Sequence, residues 1–177
     1  EGVLQGDGRL DLMISIESHL PELPRAGVRM VLPGSFERLS WYGRGAKENY
    51  PDRKSGYRIG IWESTVTDQY VPYILPQEHG AHCDTRWIRL LQEDSGVLFQ
   101  LASDTPFIFS ALHTTAEQLS PLTHTWQVEQ QGQTFLSIDA AHRGLGTGAC
   151  GPDCRESFRV YPGTYTLHLD LRCMKTT

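Results

Sequence analysis

The feature that most constrains the fold of this chain is an apolar period of two. In RLDLMISIE, residues 9–17, Leu10, Leu12, Ile14 and Ile16 share one face, with Asp11, Ser15 and Glu17 opposite. In YTLHLDLR, residues 165–172, Tyr165, Leu167, Leu169 and Leu171 alternate with Thr166, His168, Asp170 and Arg172. Successive side chains of a strand point to opposite faces, so this pattern specifies half-buried strands of an antiparallel sheet. Weaker strands are expected at GVRMVLP, GVLFQLA, PFIFSALH, HTWQVEQ, TFLSIDAA and SFRVYP. Turn chemistry falls between them at Gly6-Asp7-Gly8, Gln131-Gly132-Gln133 and Pro162-Gly163-Thr164. Only TTAEQLS, residues 114–120, has helical character, with Thr114 or Thr115 as the cap and Glu117 in the first turn. The expected fold is therefore all-β: an antiparallel sandwich with long irregular loops and at most one short helix, forming a single domain over 1–177.

Composition narrows the function classes. With 39% apolar and 21% charged residues, the 177-residue chain has the makings of an ordinary folded core. A net charge of −5 without any cluster of Lys or Arg argues against a nucleic-acid groove. No apolar run approaches the roughly 20 residues of a membrane helix. EGVLQGDGRL lacks the basic start and apolar core of a signal peptide, and a start at Glu1 rather than Met implies a chain cut from something longer. The four cysteines, Cys83, Cys150, Cys154 and Cys173, are irregularly spaced and are read as mostly reduced thiols of a cytoplasmic protein.

Residues 41–90 are dense in Gly, Pro, aromatics and charge, and are expected to be long ordered loops of functional use. In GRGAKENYPDR, Gly43 and Gly45 offer hinge freedom, Tyr50-Pro51 stiffens a turn, and Asp52 can pair locally with Arg53. Glu48 is a tempting catalytic carboxylate, but the pattern supplies no second one for glycoside chemistry, and it is read as solvated. Of the aromatics, Trp126 is expected in the core, while Trp41 is open to a core or a sugar-stacking role.

The second motif is AHRGLGTGACGPDC. Gly146-x-Gly148-x-x-Gly151 mimics a dinucleotide fingerprint, yet Pro152 and another strand-like run follow it. No helix N-terminus is left to hold a pyrophosphate, and nucleotide binding is rejected. Cys150 and Cys154 with His142 or Asp153 lack the paired spacing of a zinc site, so no metal is assigned. The glycines do require a chain that bends where side chains obstruct, with Cys150 near the tip.

Three runs taken together, ERLSWYGRGAKENYPDRKSG, VPYILPQEHGAHCDTRW and FLSIDAAHRGLGTGACGPD, resemble the C-terminal domain of the large bacterial, lac-operon-type β-galactosidases. These are retaining glycoside hydrolases of family 2, and the resemblance runs over nearly the whole chain. It implies an antiparallel β-super-sandwich from a multidomain enzyme acting on β-D-galactosides such as lactose. It also implies that the catalytic glutamates, and the magnesium and sodium ligands of the parent, lie in upstream domains. No catalytic residue, metal ligand or cofactor is then expected in this chain, and the fragment alone is expected to be inactive. Residues 45–54 match a mobile active-site loop, which assigns Gly45, Glu48, Asn49, Asp52 and Arg53 to it. Cys150 stands where relatives carry a tryptophan that stacks on sugar, and is assigned as substrate-binding. Expected partners are the galactoside, the upstream domains and further copies of the parent, with neither nucleic acid nor membrane. The alternative is a stand-alone carbohydrate-binding or interaction sandwich.

Overall fold

The two alternating runs pair with each other. In the computed structural model, which describes residues 1–146 and 151–176, they become strands β2 (Leu10–Ser18) and β9 (Gly163–Lys175). Leu10 lies opposite Leu171, Leu12 opposite Leu169, Ile14 opposite Leu167 and Ile16 opposite Tyr165, so both apolar faces fall on one side of the sheet. A slip of one residue would turn all of them to solvent, which fixes the register.

The described residues form seven more strands: β1 (Gly2–Leu4), β3 (Arg25–Pro33), β4 (Arg38–Gly45), β5 (Arg58–Thr65), β6 (His82–Gln92), β7 (Val97–Leu112) and β8 (Gln133–His142). All pairings are antiparallel, in the order β1-β2-β9-β7-β6-β4-β5, with β8 and β3 branching from β7. The branch exists because β7 is 16 residues long. Its first half pairs with β9 through residues 97–102, and its second half with β8 through residues 108–112. Leu39 and Trp41 of β4, Ile88 of β6, Phe109 of β7, Ile138 of β8 and Leu169 of β9 belong to one buried cluster. One face of the branched sheet therefore packs around this main core, each such side chain contributing about 2 kcal/mol of apolar burial.

The short helix α1 (Ala116–Leu119) forms where expected: Thr115 caps it, accepting from the Gln118 amide, while Gln118 Oε1 accepts from the Thr115 amide at 2.9 Å. Other expectations are corrected. GVLFQLA and PFIFSALH are one continuous strand, β7, whose middle residues 104–106 are exposed and carry no apolar signal. HTWQVEQ is not a strand but a 3-10 turn at Thr125–Gln127, and Trp126 is 80% exposed rather than core. SFRVYP contributes a 3-10 turn at Glu156–Phe158 and one bridge from Val160 to Leu23. Residues 41–90, read as irregular, hold β5 and most of β4 and β6, leaving true loops at 46–57 and 66–81. Trp41 is fully buried and donates to the Arg44 carbonyl at 3.1 Å. Among the described residues no helix is long and apolar enough to cross a membrane.

Candidate functional site

Loop 46–57 leaves β4 and returns into β5 at one end of the sheet, held by side chains on both flanks. Gly43 and Gly45, read as hinges, lie within β4 opposite Gly60 and Arg58. They are points of close approach: a Cβ at Gly43 would sit 2.4 Å from Thr85 Oγ1, and one at Gly45 2.8–2.9 Å from the rings of Trp62 and Trp41. Tyr50-Pro51-Asp52-Arg53 forms a turn closed by the Arg53 amide on the Tyr50 carbonyl at 2.8 Å, with proline at its preferred second position. Tyr50 is fully buried, its ring edge-on to His142 at 5.3 Å, and burial first, then nearby Glu78, raises its phenol well above the usual range.

The expectation of a solvated Glu48 is overturned. Its side chain is only 10% exposed. Oε1 accepts from Arg53 at 2.6 Å and from the Tyr73 hydroxyl, and Oε2 accepts from the Gly80 amide at 2.7 Å. Loop 46–57 is thereby tied to loop 66–81. Burial, reinforced by Glu48, also lifts the Tyr73 phenol above its ordinary value. Asn49 is fully buried and joins the loop to the start of β6: its backbone N–H donates to the Ala81 carbonyl at 2.7 Å, and its side-chain Oδ1 accepts from the Cys83 backbone N–H at 2.9 Å. The Cys83 thiol, pushed up to about 12 by burial, is chemically inert there.

The local Asp52–Arg53 pair does not form. Arg53 goes to Glu48, and Asp52 turns the other way, accepting from the Leu145 amide at 3.2 Å and the Gly146 amide at 2.7 Å. Lys54 Nζ donates to Asp84 at 2.8 Å, and Arg44 also reaches the Asp84 carboxylate. Burial works to raise the Asp84 pKa, but these two cations outweigh it and hold the group below the usual carboxylate range. Asp84 sits at φ 55°, a conformation in which an aspartate is better tolerated than most residues.

Asp52 brings together the two motifs that the sequence singled out, and a groove of about 530 Å³ lies between them. Asp52 and Arg53 form one wall; Gly146, Pro152, Asp153, Cys154, Arg155 and Phe158 form the other. Cys150, assigned to substrate binding, lies outside the described residues. Cys83, Cys154 and Cys173 are free thiols. Among the described residues no group of three or more His, Cys, Asp or Glu is arranged to hold a metal ion. The carboxylates in and beside the loop do not fit one either, since Glu48, Asp52 and Asp84 each spend their oxygens on protein donors. Tyr73, Gly80, Asp84 and the amides at 145–146 were not anticipated as site components. Only the Gly-rich spelling of 144–146 signalled a close backbone approach.

A second, larger groove of about 860 Å³ lies on the outer face of β4–β6, where the rings of Tyr42 and Trp87 are 6.4 Å apart.

A family model described as the β-galactosidase small chain matches residues 3–171. This chain belongs to that family. Among similar proteins, the β-galactosidase of Staphylococcus xylosus is 33% identical over 159 residues, covering 89% of this chain and 16% of its own length. The β-galactosidase of Arthrobacter sp. strain B7 is 34% identical over 154 residues, 84% of this chain and 15% of its own. That of Vibrio cholerae is 34% identical over 143 residues, 80% of this chain and 13% of its own. The small-chain unit therefore spans about one-sixth or less of the β-galactosidases it matches, and loops 46–57 and 143–146 both lie inside the matched span.

Proposed function

We propose that this chain is the C-terminal sandwich of a β-galactosidase that hydrolyses terminal β-D-galactosides such as lactose, and that it shapes the mouth of a pocket whose catalytic carboxylates lie upstream. The observation that carries this reading is the meeting of GRGAKENYPDR with AHRGLG through Asp52, around a groove, in a chain whose relatives are named β-galactosidase. Retaining hydrolysis needs two carboxylates about 5 Å apart, one attacking the anomeric carbon and one acting as acid and then base. Glu48, Asp52 and Asp84 are each committed to backbone or cationic donors, which suits anchoring rather than proton transfer. The family resemblance implies magnesium and sodium in such an enzyme, and these are assigned to donors in upstream domains.

The role left to this chain is to bind and orient. Loop 46–57 and the glycine turn form walls that a sugar meets from outside the sheet, and displacement of either wall gates access. Cys150 follows the second of these segments in sequence, and by the family resemblance it is proposed to stand at a sugar-stacking position. The parent is assigned to the cytoplasm, in keeping with the free thiols, and to a homo-oligomeric assembly that includes its own upstream domains.

The test is to read the coding sequence upstream of Glu1, assay the complete product on a chromogenic β-galactoside and follow the anomer released by NMR. Turnover with retained configuration is expected; a complete product without turnover contradicts the reading. A second reading, a stand-alone carbohydrate-binding sandwich, is favoured by the Tyr42–Trp87 groove, whose paired rings offer sugar a stacking surface. It requires galactoside affinity in the 177-residue chain itself.

A further inference from the structure

The groove between the two loops has one wall braced on its own side. Arg143 donates to both oxygens of Asp153 at 2.8–2.9 Å and pairs with Glu22 at 2.9 Å. Arg159 reaches the same two carboxylates, Asp153 at 3.1 Å and Glu22 at 3.3 Å. Two cations and two anions thus close a ring that fixes residues 153–159 against the base of the glycine turn. The opposite wall, loop 46–57, is fixed separately by Glu48 and by Lys54. Each wall is held by its own contacts, and Asp52 spans the gap between them.

The glycines are placed for this contact. A Cβ at Gly144 would lie 2.5 Å from Asp52 Cγ, so any side chain there displaces the carboxylate. Gly146 has φ +66°, and a Cβ on it would meet the Cys154 amide nitrogen at 2.5 Å. The turn therefore presents two successive amides to one carboxylate while bringing the chain close against Cys154. Charged hydrogen bonds of this kind, partly buried, are stronger than neutral ones.

We infer that Asp52 is a positioning residue, holding the 144–146 backbone to loop 46–57 and so setting the width of the groove between the two loops, through which a galactoside is admitted. This rests on the function proposed above. Both Asp52 oxygens are occupied by amides, so the residue acts on the ligand through the wall it fixes and touches no reacting atom. Its loss therefore weakens binding more than chemistry.

The experiment uses the complete polypeptide in wild-type form and as Asp52→Asn, Asp52→Ala, Gly144→Ala and the Asp52→Ala/Gly144→Ala double variant. Steady-state kinetics on a chromogenic β-galactoside are read beside amide hydrogen exchange at Leu145 and Gly146. Asp52→Ala is expected to speed exchange at those amides about tenfold or more and to raise KM by a larger factor than it lowers kcat. Asp52→Asn, which keeps the shape and one acceptor, recovers part of both effects. The double variant is expected to be no worse than its worse single parent, because both changes break one contact. Unchanged exchange in both Asp52 variants overturns the inference. So does faster exchange with KM unmoved, or multiplied effects in the double variant. A wild-type polypeptide without turnover removes the proposed function instead; the tie between the loops then stands or falls on the exchange rates alone.

Discussion

Carboxylates in and beside loop 46–57 find their partners far from their own place in the chain, and this explains both what the sequence concealed and what substitutions there should do. Asp52 bypasses the adjacent Arg53 for amides 93 and 94 positions downstream. Glu48, spelled like a surface residue, is enclosed by Arg53, Tyr73 and the Gly80 amide. Such choices depend on which loops share an end of the sheet, and no local pattern records that. Glycines are more legible, because close approach and positive φ leave few other residues possible. Gly146→Ala should cost about 1–2 kcal/mol for the left-handed backbone alone, and more from its contact with Cys154, read as a lowered denaturant midpoint. A midpoint equal to wild type would contradict the geometry of the turn. For Cys150 the expectation rests on the family resemblance: an indole adds an apolar stacking face worth on the order of 1–2 kcal/mol, so Cys150→Trp in the complete enzyme should lower KM about tenfold. An unchanged KM would remove Cys150 from the binding surface.

At the scale of elements, alternation was a reliable guide only where a partner strand existed to use it. Residues 10–16 and 165–171 match face to face and became β2 and β9, whereas the alternating HTWQVEQ found no neighbour and turned into a 3-10 segment with Trp126 in solvent. Ser103-Asp104-Thr105-Pro106 is spelled like a turn, yet β7 runs through it, because β6 and then β8 support the strand on either side. Strands β4 and β5 were obscured by Gly43, Gly45 and Gly60, which serve close packing against Thr85 and the tryptophans rather than flexibility of the backbone. The helix signal survived because a capping box is a local device. Thr115→Ala removes the acceptor for the Gln118 amide and should cost about 1 kcal/mol, lowering Tm by about 2–4 °C for a chain of this size. An unshifted Tm would mean that packing of Leu119 alone holds this turn. Leu169→Ala, at a buried position of the β2–β9 pair, should cost about 2–5 kcal/mol in denaturant unfolding.

For the whole molecule, the core and the loop end of the sheet are joined through His82, at the first position of β6. It is fully buried, 2.6 Å from Gln69 Oε1, and stacked on Phe109. Burial brings its imidazole from the ordinary 6.5 down to about 4. The unfolded chain therefore binds a proton between those values that the folded chain refuses. The contribution is fully present above pH 6.5 and is lost as pH falls toward 4, with a limit of about 3 kcal/mol. Comparing denaturant midpoints at pH 7.5 and 4.5 should show a fall in wild type that His82→Gln reduces; equal falls in both proteins would assign the acid sensitivity to other groups. The same loop end is where the parent enzyme is proposed to meet its sugar. The most direct test is hydrogen exchange of the complete polypeptide with and without a non-hydrolysable thio-β-galactoside. The account predicts that, within this chain, protection concentrates in residues 46–57, 143–146 and 151–158. Protection confined to the Tyr42–Trp87 face, or absent from the chain altogether, would contradict it.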